Sequence, residues 1–171
     1  LLLGYGAIGK LIEERLKGFA VDVTVVRRSA GPNTLTPDQW RERLGEYDWV
    51  ILAAPSTHDT EAMIGAAELS AMKNSAWLIN MARGDMVDQG ALIEALEKRR
   101  IAGAFLDVAD PEPLPADHPL WTAPNVIHSM HLSGRSQTKM FMRAAALFLE
   151  NARAFVEGRP MQNVVDLDAG Y

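Results

Sequence analysis

A glycine triplet at the start of the chain restricts its fold more than any other feature. Leu1-Leu2-Leu3-Gly4-Tyr5-Gly6-Ala7-Ile8-Gly9 carries three apolar residues straight into a Gly-x-Gly-x-x-Gly spacing. At that spacing Gly4 permits a tight turn and Gly6 lets the backbone approach a pyrophosphate. Gly9 allows the next helix to pack closely on the sheet. The N–H groups at the helix start then face the anion, aided by the positive end of the helix dipole. Strand, turn and helix together predict a dinucleotide cradle formed by Gly4, Gly6, Ala7, Ile8 and Gly9.

The rest of the chain continues the alternation. Apolar runs of strand length occupy residues 1–3, 21–26, 49–54, 76–80, 102–108 and 125–129, with helical patterns at 7–17, 61–69 and 88–99. Thr36-Pro37-Asp38 reads as the capped start of a further short helix. This alternation predicts an α/β fold, a Rossmann-like doubly wound parallel sheet in three layers. Leu92, Ile93 and Leu96 keep helical spacing behind Asp88, a candidate N-cap. Residues 110–115 contain Pro111, Pro113 and Pro115, too many prolines for regular structure. Residues 134–157 predict a long helix with Phe141, Ala144, Ala145, Phe148, Ala152 and Phe155 on its buried side, stopped by Gly158. A dinucleotide-binding domain is therefore expected over residues 1–157 and a tail that docks elsewhere over 158–171.

Bulk properties narrow the function. A net charge of −5 offers no electrostatic attraction to nucleic acid or to an anionic membrane. No apolar run approaches the roughly 20 residues that cross a bilayer. The absence of cysteine rules out disulfides and thiol-ligated metal, and points to a cytoplasmic protein. No set of metal ligands is expected.

The residues after the second apolar run choose between cofactors. An acidic side chain about 20 positions beyond the glycine turn grips the ribose hydroxyls of NAD. Here Arg27-Arg28-Ser29 stands in that place, Arg27 lying 18 positions after Gly9. A guanidinium cannot accept a hydrogen bond from a hydroxyl, but it matches a 2′-phosphate with paired donors. NADP is expected, with NAD as the alternative.

Three further stretches lie at expected strand ends. They are Ile79-Asn80-Met81-Ala82-Arg83-Gly84-Asp85, the run from Phe105-Leu106-Asp107-Val108 to Pro111-Glu112-Pro113-Leu114-Pro115, and Asn125-Val126-Ile127-His128-Ser129-Met130-His131-Leu132-Ser133-Gly134. In order and spacing they resemble the nucleotide-binding domain of the D-isomer-specific 2-hydroxyacid dehydrogenases, most closely the glyoxylate/hydroxypyruvate reductase branch. The resemblance implies hydride transfer between a nicotinamide cofactor and a small 2-oxo or 2-hydroxy acid. It assigns His131 as acid/base, Glu112 as its carboxylate partner and Arg83 as the carboxylate clamp. It also implies cofactor contacts from Ala54, Pro55, Thr57, Thr60, Met81, Ala82, Asp107, His131 and Ser133, with Asp107 accepting from the nicotinamide carboxamide. No role is assigned to His58, His118 or His128.

One position departs from the family pattern. Met130 stands where a proline usually precedes the acid/base histidine, so the path of the His131 loop is expected to differ. The resemblance also implies an N-terminal substrate lobe that is missing here, a tail from Arg159 to Asp166 belonging to that lobe, and a homodimer through the long helix. With that lobe missing, the 171 residues are expected to bind NADP(H) and to turn over poorly. Three other readings compete, one of them a stable structural remnant of a larger gene product. A nucleotide-sensing or corepressor-like binding module would use the fold without turnover. A methyltransferase using S-adenosylmethionine would need neither the paired arginines nor the distal trio.

Overall fold

A computed structural model describes residues 1–29, 31–135 and 139–167. Contacts divide the chain into two compact units, Leu1–His131 and Leu132–Tyr171.

The first unit is built on a parallel sheet. Its strands are β1 (Leu2–Leu3), β2 (Val25–Val26), β3 (Thr34–Leu35), β4 (Trp49–Leu52), β5 (Trp77–Asn80), β6 (Gly103–Leu106) and β7 (Val126–His128). Among the described residues their order is β3-β2-β1-β4-β5-β6-β7. The order reverses between β1 and β4, the switch point at which open α/β sheets open a crevice at the strands' carboxyl ends. Successive strand residues point to opposite faces. Leu2, Val25 and Ile51 therefore meet Ile12 and Leu16 of α1 (Ala7–Lys17) on one side. Leu3, Val26, Leu52 and Leu78 face the main core on the other, with Leu69 of α2 (Ala66–Ala71) and Leu92 and Leu96 of α3 (Gln89–Glu97). Helices thus cover both faces of the doubly wound sheet. Each such leucine, nearly or wholly withdrawn from water, contributes about 1.5–3 kcal/mol of burial free energy.

Several elements differ from their sequence expectation. Thr36-Pro37-Asp38 forms a turn, closed by the Gln39 N–H on the Thr36 carbonyl at 3.1 Å. The helical stretch follows it, a 3₁₀ run over Arg41–Glu46, and β3 precedes it as a seventh strand the sequence did not announce. Two residues at a sheet edge leave no periodicity to read. The helix expected over 61–69 is displaced to Ala66–Ala71, because its first half pairs with the segment after β5 instead. There the Ala62 and Ile64 N–H groups meet the carbonyls of Asp85 and Met86. Strands are shorter than their apolar runs, Val25–Val26 against 21–26 being the largest difference. Asp88 caps α3 as expected, accepting the Ala91 N–H at 3.0 Å.

The second unit holds α4 (Met140–Val156). Its observed start lies six residues beyond the expected Gly134, and residues 136–138 fall outside the described set. Its end is as expected: Gly158 turns at φ +66°, and the N–H groups of Gly158 and Arg159 close on the carbonyls of Phe155 and Ala154. The face expected to be buried is not. Phe141, Phe148 and Phe155 are 71–78 % exposed, and Ala144, Ala145 and Ala152 are exposed with them. Helical spacing marks an apolar stripe, but a stripe does not say whether its partner lies in the same chain. The tail folds back on the helix, Gln162 exchanging two hydrogen bonds with Asn151 at 2.8 and 2.9 Å. Among the described residues no helix is long and apolar enough to cross a membrane.

Candidate active site

The glycine turn leaves β1 at the switch point. Gly4 has φ +102°, and a Cβ there would meet the backbone of Ala53 and Ala54 at 2.5–2.6 Å. Only glycine fits, and its fit presses the β1 turn against the start of the Ala54–Pro55 loop. Gly9 packs under the Gly4 carbonyl. At Gly6 no described heavy atom lies within 4 Å of where a Cβ would be. Gly6 is also the N-cap of α1, which has no acidic residue in its first turn and no side-chain cap among the described residues. Backbone N–H groups at an open, uncapped helix start suit a phosphate, so the cradle fits a dinucleotide.

Arg27, beyond β2, lies over the Tyr5 ring at 5.4 Å and donates to the Ser29 carbonyl at 2.8 Å. Lys10 approaches the same ring at 5.9 Å. Arg28 and Ser29 are exposed beside them. The Pro55 loop is closed by Thr60, whose hydroxyl donates to the Pro55 carbonyl and accepts from the Thr57 N–H, both at 2.8 Å.

The second cluster gathers at the carboxyl ends of β5, β6 and β7. His131 Nδ1 meets Glu112 Oε2 at 2.8 Å, while Glu112 Oε1 accepts the Ala109 N–H at 3.0 Å. Burial alone would raise the Glu112 carboxyl. The His131 ring, the Ala109 N–H and the positive charges of His131 and Arg83 outweigh it and hold the group below the usual carboxylate range. Arg83 is therefore near enough to act on this pair, and it lies exposed with one N–H donating to the Ala82 carbonyl at 2.6 Å. The carboxylate and imidazole expected to meet do meet, and Arg83 lies near enough for its charge to act on the carboxylate. Glu112 and His131 border a cavity of about 270 Å³ whose walls also include Asp107, Leu114 and Met130. An imidazole held at one nitrogen by a carboxylate can give or take a proton at the other.

Residues outside the expected set support this cluster. Asn80, 1 % exposed at the end of β5, donates to the Arg83 carbonyl at 2.8 Å and accepts the Ala82 N–H at 3.0 Å, fixing the loop that carries Arg83. Its signal was a polar side chain closing an apolar strand. Ser56 ties the Pro55 loop to Asp85 at 2.6 Å, and Gln89 bonds both the carbonyl and the N–H of Asp110. These long-range partners left no local mark in the sequence. Met81 is half-buried and Ala82 buried, whereas Ser133 belongs to the second unit. His118 accepts from the Leu120 N–H and His128 packs its ring 5.2 Å from Trp121, as packed rather than reacting groups do.

Met130 bears out the expected change of path. Its φ is +55°, a region closed to proline, which is locked near −65°. His131 nonetheless reaches Glu112.

Glu112 makes a pH prediction. Its carboxyl is depressed in the fold, so its contribution to stability is present above its unfolded pKa and lost as pH falls through the folded one. Thermal midpoints measured from pH 7 downwards should therefore fall further in the native protein than in Glu112→Gln. Parallel curves would mean that the pair with His131 does not persist in solution.

Residues 1–133 match the family model described as D-isomer specific 2-hydroxyacid dehydrogenase, NAD binding domain. A glycerate dehydrogenase of Methylorubrum extorquens is 40 % identical, the match covering 96 % of this chain and 52 % of that protein. A glyoxylate reductase of Korarchaeum cryptofilum is 37 % identical over 96 % of this chain and 51 % of its own length. The crystal structure of a D-isomer specific 2-hydroxyacid dehydrogenase from Xanthobacter autotrophicus, in complex with NADPH and MES, superposes with a TM-score of 0.90 at 32 % identity, covering 99 % of this chain and 71 % of that one. The chain thus spans about half the length of the two enzymes it matches in sequence.

Proposed function

This chain belongs to the D-isomer specific 2-hydroxyacid dehydrogenase family, in which it is the NAD-binding domain, and we propose that it serves the NADP-dependent reduction of glyoxylate or hydroxypyruvate. The observation that carries the reading is the 2.8 Å pair of His131 and Glu112, with the charge of Arg83 acting on it, at the carboxyl ends of three adjacent strands. Nicotinamide, when bound, supplies or accepts the hydride. His131 gives a proton to the carbonyl oxygen in reduction and takes one from the hydroxyl in oxidation. Glu112 holds Nδ1 and stabilises the imidazolium. Arg83 binds the acid's carboxylate and polarises the neighbouring carbonyl. Gly4, Gly6, Ala7, Ile8 and Gly9 hold the pyrophosphate, Pro55 and Thr60 shape the wall beside it, and Asp107 orients the carboxamide. The tail over 158–171 joins a substrate lobe, and a second copy covers the exposed phenylalanines of α4.

NADP over NAD rests on Arg27, whose place after β2 suits a 2′-phosphate. The test is oxidation of NADPH and NADH by the full-length protein with glyoxylate and hydroxypyruvate. Faster use of NADPH is expected, and failure to oxidise either coenzyme with either acid overturns the reading. In the same assay Arg27→Asp should raise KM for NADPH by about 10- to 100-fold, the worth of one to two charged hydrogen bonds, and leave that for NADH nearly unchanged. Equal effects on both coenzymes would sink the assignment to the 2′-phosphate.

A further inference from the structure

The approach to His131 is made in an unusual backbone conformation. Met130 and His131 both take positive φ, +55° and +57°, although neither is glycine. Side-chain-bearing residues enter this region at a cost, and persist there only where neighbouring interactions over-determine them. Here those interactions converge on Asp107, which is 3 % exposed at the end of β6. Its backbone carbonyl accepts the His131 N–H, and its carboxylate accepts the Ser129 hydroxyl at 2.5 Å. The Ser129 N–H in turn continues the β6–β7 ladder on the Leu106 carbonyl at 3.1 Å. The residues on either side of Met130 are thus pinned to the same aspartate, one through its side chain and one through its backbone.

We propose that Ser129 is a positioning residue of this site: its hydroxyl, bonded to the buried Asp107 carboxylate, holds the left-handed Met130–His131 turn that brings the imidazole onto Glu112. The hydroxyl acts at a distance from the reacting atoms. Without it, the bond that ties Ser129 to the Asp107 carboxylate is lost, and the two positive-φ residues relax toward the broad allowed region. Asp107 then serves both clusters, since the group read as meeting the carboxamide also sets the histidine's path. The kinetic consequence rests on the acid/base reading of His131, while the structural one rests on the bonds alone.

Amide hydrogen exchange and turnover in the full-length protein separate the two. In Ser129→Ala, exchange at the His131 amide should quicken by about tenfold or more, the loss of one hydrogen bond to a charged group, while amides of β5 keep their protection. The kcat should fall by a comparable factor. Ser129→Thr, which keeps the hydroxyl, should restore both. Unchanged exchange in Ser129→Ala, or faster exchange that Ser129→Thr does not restore, overturns the proposal. Exchange that responds while kcat does not supports the clasp, and it is then the acid/base role of His131 that fails.

Discussion

His131→Ala in the full-length protein is expected to lower kcat by about 10²–10⁴-fold, the range a positioned general acid/base contributes. Nucleotide affinity should change by less than about tenfold, because the proposed phosphate cradle at Gly4–Gly9 and the proposed 2′-phosphate partner Arg27 stand on other loops of the sheet. The division follows from the geometry. The imidazole meets Glu112 across the ends of β6 and β7, while the uncapped start of α1 lies behind β1 on the far side of the switch point. Steady-state rates and a fluorescence titration with NADPH measure the two quantities separately. A variant with kcat within threefold of the native value would remove His131 from the chemistry. A native protein that binds the nucleotide and oxidises none of it would make the chain a nucleotide-sensing module instead.

Gly84→Ala should cost about 3 kcal/mol, at the upper end of what overpacking a close contact does. For a chain of this length that lowers the thermal midpoint by roughly 6–12 °C. A Cβ at Gly84 would lie 2.0–2.1 Å from the Ala109 carbonyl group and 2.6 Å from the Asp110 nitrogen. These are backbone atoms, so no side chain can swing aside. The only relief is to push apart the loop carrying Arg83 and the loop carrying Glu112. Both stability and turnover should therefore fall, and a midpoint within 2 °C or so of the native one would show that the two loops do not lock together. The same contact explains why Arg83 comes close enough to influence the Glu112 carboxyl.

The sheet was largely legible in the sequence because its cues are local. Six of the seven strands stand inside apolar runs, and the Asp88 cap and the Gly158 stop each need only neighbouring residues. Where reading failed, a distant partner decided. Ile64 lies in extended pairing with Val87 rather than in the helix that its own segment suggested. The phenylalanines of α4 keep their stripe yet remain exposed, since spacing describes one face and not what covers it.

The candidate site divides in the same way. Residue types and spacing alone determined that a phosphate cradle follows the first strand, and that arginine, glutamate and histidine stand at successive strand ends, since turn chemistry and strand order are written over short distances. Tertiary structure decided the rest. Only the fold brings Gln89 against Asp110 and Ser129 onto Asp107. Such bonds join residues 21 and 22 positions apart through the packing of separate loops, helix and strand ends, and no local pattern encodes which side chains that packing will bring face to face.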